Sequence, residues 1–107
     1  YSREIEEQSD INALMNAVLG VATDSGIMNP IDVKIRARPY DHFLMPEADQ
    51  TFLHVTIFLL EGRTDAQKET LAVSLRSRLV ELLSTVTSVS IDVRDMNPVA
   101  YKKRVLG

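Results

Sequence analysis

The run Phe52–Thr64, F-L-H-V-T-I-F-L-L-E-G-R-T, restricts what this chain can fold into more than any other stretch. It reads as a strand with no polar face. Phe52, Thr56, Phe58 and Leu60 share one side, and Leu53, Val55, Ile57 and Leu59 share the other. A strand apolar on both sides must be covered on both sides, because strand side chains alternate between the two faces of a sheet. In a chain this short the second cover is expected from another subunit.

At 107 residues the chain corresponds to one domain, residues 1–107. The formal charge of −3 gives no reason to expect nucleic acid as a partner. The basic cluster Lys102, Lys103 and Arg104 reads as a solvated tail. The absence of cysteine removes disulfides, thiolate chemistry and cysteine zinc sites, and fits a reducing compartment. The apolar run around Val55–Leu60 is far short of the roughly 20 residues a membrane span requires. The polar, acidic opening Tyr-Ser-Arg-Glu-Ile-Glu-Glu is no signal peptide, so a soluble cytoplasmic protein is expected.

Ser9 or Asp10 offers an oxygen to cap a helix, and Ile11, Leu14, Met15, Val18, Leu19 and Ala22 then fall on one helical face. Asp24-Ser25-Gly26 ends it. Beyond Asn29-Pro30, Ile31, Val33, Ile35 and Ala37 alternate with Asp32, Lys34, Arg36 and Arg38, which predicts a half-buried strand carrying a basic stripe. Tyr40–Gln50, with Pro46 inside it, is either an irregular edge extension or a loop. Thr64 and Gln67 have capping-box spacing, so a second helix begins at Asp65 and shows a stripe of Leu71, Leu75, Leu79 and Leu82. That helix ends near Ser84. Val89, Ile91 and Val93 then alternate with Ser90, Asp92 and Arg94 in a last strand, before a turn at Asn97-Pro98.

Strand, helix and strand joined by short loops form a crossover with a parallel pair, so Phe52–Val93 is one complete unit. The first half has the form of the same unit without its opening strand. Tyr1–Gln8 is then the only remnant of what should precede the first helix, and a strand missing from this chain is expected.

Several side chains stand out as candidates for chemistry. Arg36 and Arg38 lie on one strand face about 7 Å apart by strand rise. They are either anion ligands or members of a salt-bridged outer face, with Asp92 or Glu61 as partners. Arg63 follows Gly62 at a helix start, where free N–H groups also favour an anion, or it is an ordinary loop arginine. His54 interrupts the apolar strand as either a polar site group or a hydrogen-bonded interface residue. His42, beside Asp41 and Tyr40, is an acid–base candidate or a solvated loop residue. The two histidines have no metal-ligand spacing, and no phosphate loop or nucleophile elbow is present, so neither metal nor cofactor is expected.

The order of Ile35-Arg36-Ala37-Arg38, the run F-x-H-V-T-I, Glu61-Gly62-Arg63 and a late S-x-x-I-x-x-R-D string resembles the 5-carboxymethyl-2-hydroxymuconate isomerase family of the tautomerase superfamily, across essentially the whole chain. The resemblance implies an α+β, tautomerase-like fold: two β-α-β repeats forming a four-stranded sheet with two helices on one face. It also implies a homotrimer that moves a proton between keto and enol forms of a small unsaturated carboxylic acid in aromatic-compound catabolism. Family members use an amino-terminal proline as base; here Tyr1-Ser2 resembles the end of the first strand, several residues past that proline. By the same resemblance Arg36 and Arg63 are catalytic, holding or polarising the carboxylate and carbonyl, and Arg38 binds substrate; His54, from its place in the strand, is expected as a further substrate-binding group.

An open sheet face bearing Arg36, Arg38, Phe52, His54, Phe58, Asp92 and Arg94 is a natural assembly surface. Two further readings stand beside the isomerase: an anion-binding module of the same fold without a base, and a purely structural oligomeric domain.

Overall fold

A computed structural model describes residues 1–107. Its two long helices begin where side-chain oxygens meet orphan N–H groups. Helix α1, Ile11–Asp24, is capped by Asp10, whose carboxylate accepts from the Asn12 N–H. Gly26 follows at φ +74°, a left-handed turn that glycine makes without Cβ strain. Helix α2, Asp65–Leu82, opens with the complete Thr64/Gln67 capping box.

Between them runs strand β1, Phe52–Leu60, which pairs in parallel with β2, Ser88–Met96, in unbroken register from Phe52 opposite Ser88 to Leu60 opposite Met96. Leu53 and Leu59 of β1 are buried on the helix side, where Leu71, Leu75 and Leu79 of α2 are all at most 1% exposed. One cluster gathers Ile5, Leu14, Leu53, Leu79 and Leu83; the other holds Leu59, Leu71 and Leu75. The stripe of α2 therefore ends one residue later than its spacing suggested. Leu82 is 39% exposed and Leu83, just past the helix, takes the buried place.

The strand expected over Ile31–Arg38 does not form a ladder. Pro30–Asp32 is a short 3₁₀ turn capped by Asn29, and the chain then runs on without strand pairing as far as Tyr40. Ile31 is 62% exposed, so the inward row reduces to Val33 and Ile35. Pairing of the segment is confined to the Tyr40 end. There Ser2 bridges Tyr40 in parallel, Tyr40 N–H donates to the Tyr1 carbonyl (2.7 Å), and Ser2 N–H donates to the Phe52 carbonyl (3.0 Å). Val33–Pro39 has no ladder partner, and strand-like alternation alone cannot satisfy a backbone that has no partner beside it. The ladder thus contains β1 and β2, with the two helices packed on one side, in an α+β arrangement; of the strands expected within this chain, the one over Ile31–Arg38 is unpaired.

The segment after Tyr40 is a loop. Tyr40 and Phe43 stack against Phe52, with ring centroids 6.0 and 5.3 Å away, and Arg3 pairs with Asp41. Only 10 of 107 residues are buried, and the radius of gyration is 15.0 Å, against roughly 13 Å for a compact domain of this length. Much apolar surface is therefore uncovered, including Phe58 at 56% exposure on the side of β1 away from the helices. No helix is long and apolar enough to cross a membrane.

Candidate active site

The end of β1 is where the chemistry-bearing residues of the turn Glu61-Gly62-Arg63 meet the segment that follows α1. Gly62 adopts φ +122°, a conformation that side-chain-bearing residues rarely take, and this turns Arg63 back toward the sheet. The half-buried Arg63 donates from Nε and Nη2 to the Ile27 carbonyl (2.9 and 2.7 Å) and from Nη1 to the Leu60 carbonyl (2.9 Å). Arg63 thus staples the α1 exit to the β1 exit. A guanidinium has five N–H donors, so two remain for an anion.

Arg36 and Arg38 are exposed and make no ion pair, which removes the expected partners: Asp92 pairs with Arg94 at 2.6 Å, and Glu61 pairs with nothing. Both arginines lie opposite Val33 and Ile35, which turn toward α1, so they join the open side together with Lys34. His54 is on that side as well. Its Nδ1 lies 2.6 Å from Ser90 Oγ and its Nε2 lies 3.0 Å from Thr56 Oγ1, so both ring nitrogens are engaged by hydroxyls. His42 has no hydrogen bond, and its neighbour Asp41 pairs with Arg3; the Arg3 guanidinium holds the Asp41 carboxyl below its usual range. Arg36, Arg38 and His54 therefore share a face, while Arg63 stands at its edge and turns inward.

Between α1 and the Val33–Ile35 segment is a groove of about 330 Å³ lined by Asn12, Met15, Asn16, Leu19, Val33 and Ile35. Tyr1 packs into the helix-side core, and its nitrogen donates to the Arg38 carbonyl (3.0 Å).

Two features lay beyond sequence reasoning. Ser2 is fully buried, and its Oγ accepts from the Phe52 N–H (2.9 Å); nothing in a terminal Tyr-Ser signals this. Lys103, read as part of a solvated tail, instead forms a 2.6 Å ion pair with Asp32, 71 residues away. That separation leaves no local signal.

Fold and residues together describe a small α+β domain with Arg63 at the sheet edge and Arg36, Arg38 and His54 on its open face. A family model for 5-carboxymethyl-2-hydroxymuconate isomerase matches residues 1–104, and the chain belongs to that family of isomerases within the tautomerase superfamily. No curated protein matches the chain.

Proposed function

We propose that this protein is a keto–enol isomerase acting on 5-carboxymethyl-2-hydroxymuconate or a close relative, with the amine of an amino-terminal proline as base. The observation that carries the reading is the register at Tyr1–Ser2. A strand entering at Tyr1 in that register would lead back from the end of β1 that holds Arg63, which is where the reading needs the base.

A neutral secondary amine at that point takes the proton from the 2-hydroxyl of the dienol. The C–O bond becomes a carbonyl, the conjugated electrons shift along the chain, and the ammonium returns its proton to the distal carbon. Nearby guanidinium groups favour the neutral amine by disfavouring a second positive charge, and so keep it basic at neutral pH. They also stabilise the charge that builds on the enolate oxygen and carboxylate. In this scheme the two uncommitted N–H donors of Arg63 address the substrate. Arg36 and Arg38 set the field along the open face, and His54, fixed by Ser90 and Thr56, serves as a polar wall. The exposed side of β1 would face other subunits in a trimer, which supplies the missing cover for Phe58.

The competing reading, an anion-binding or structural module without a base, draws on the three Arg63 donors already committed to carbonyls. The gene's own product, with its amino terminus determined by mass, separates the two. Isomerisation followed by ultraviolet loss of the dienol should fall by about 10²–10⁴-fold when the proline is replaced by alanine. Ordinary activity from a chain that lacks a terminal proline would defeat the proposal.

A further inference from the structure

The Arg63 staple depends on a carbonyl that the backbone ladder does not hold. Ile27 lies in the exit from α1, where Gly26 takes φ +74° and where Gly26, Ile27 and Met28 make no backbone–backbone hydrogen bond. Residue 27 is fixed at two other points. Its side chain packs against the cluster of Leu59, Leu71 and Leu75, and its N–H donates to Ser25 Oγ (3.3 Å). Ser25 Oγ in turn donates to the Ala22 carbonyl (2.6 Å), so one hydroxyl hangs Ile27 from the last turn of α1.

The third point is the Ile27 carbonyl, and Arg63 takes it. Nε and Nη2 both donate to this one oxygen, which closes one edge of the guanidinium, and Nη1 gives a hydrogen to the Leu60 carbonyl. Two hydrogens are left, one on Nη1 and one on Nη2. Because a planar guanidinium turns as one body, they are aimed only as well as the Ile27 carbonyl is held. Without that hold a rotamer-rich side chain has to be ordered each time an anion binds.

We infer that Ser25 is a positioning residue for Arg63: through the Ile27 carbonyl, its hydroxyl fixes the direction of the guanidinium donors that meet a carboxylate. Only the carboxylate in this assignment rests on the proposed isomerase function.

Ser25 also caps the end of α1, and Thr23 supplies the comparison, since its hydroxyl serves α1 alone by donating to the Leu19 and Gly20 carbonyls. In the full-length protein the ¹⁵N–¹H signal of Arg63 Nε should exchange slowly with solvent. Ser25→Ala should speed that exchange about tenfold, the loss of one hydrogen bond's worth of restraint, while Ser25→Thr should restore it and Thr23→Ala should leave it unchanged. In turnover, Ser25→Ala should lower kcat/KM about fivefold in the native background and not at all beside Arg63→Ala. A native Nε–H that exchanges as fast as that of free arginine would overturn the inference. So would an Nε signal indifferent to Ser25→Ala, one moved equally by Thr23→Ala, or equal losses of kcat/KM with and without Arg63. The expected changes in Nε exchange in a protein that does not isomerise would leave Ser25 positioning Arg63 and remove the catalytic reading.

Discussion

The two halves of the molecule are built from similar parts and end in different states. Phe52–Met96 is a closed unit: a nine-residue strand, a doubly capped helix and a second nine-residue strand in perfect register, with Leu71, Leu75 and Leu79 sealed between them. In the amino-terminal half α1 is properly capped, yet Val33–Pro39 finds no ladder and Met15 and Leu19 look onto an open groove. The difference lies in pairing: local preference gives each half its helix, but a ladder is a property of two neighbours, and Val33–Tyr40 is bridged only at Tyr40, by Ser2.

The comparison is most exposed to failure in the core. Leu75→Ala should cost about 2–5 kcal/mol in urea unfolding, because its fully buried side chain leaves a cavity among packed leucines. Met15→Ala, on the groove, should cost well under half of that; equal costs would mean the groove is filled in solution. Arg63→Ala should cost about 1–3 kcal/mol in the same measurement, since three hydrogen bonds from a charged donor are lost, and activity should fall further than stability explains. Loss of stability alone would reduce Arg63 to a staple. Thr64→Ala should cost about 1 kcal/mol by removing half of a reciprocal cap, and Asp10→Ala somewhat less, since Asp10 closes a single bond.

The smallest effect concerns the loop over Phe52. Arg3 lowers the Asp41 carboxyl below its ordinary 3.8, so the pair contributes above that value and is lost as pH falls through the lowered one. Backbone amide shifts around Asp41 should therefore show a step below the ordinary carboxylate range, and Asp41→Asn should abolish that step.

Much of this was legible from residue order. The Thr64/Gln67 box, the Asp10 cap, the β1–α2–β2 crossover and the inward row Val89, Ile91 and Val93 are local patterns, and the structure contains them. The ladder over Ile31–Arg38 failed because alternation reports which face a residue prefers and says nothing about whether a partner lies alongside. The Arg63 staple and the Lys103–Asp32 pair were hidden for a related reason: each joins segments dozens of residues apart, and neither Ile27 nor Asp32 has a composition that marks it.

The bare edge of β1 has a practical consequence. A nine-residue, mostly aliphatic strand with unpaired amides along one side is a template onto which any extended chain can add, including another copy of itself. An extended oligopeptide of alternating apolar pattern should therefore seat along that edge and keep concentrated solutions dispersed.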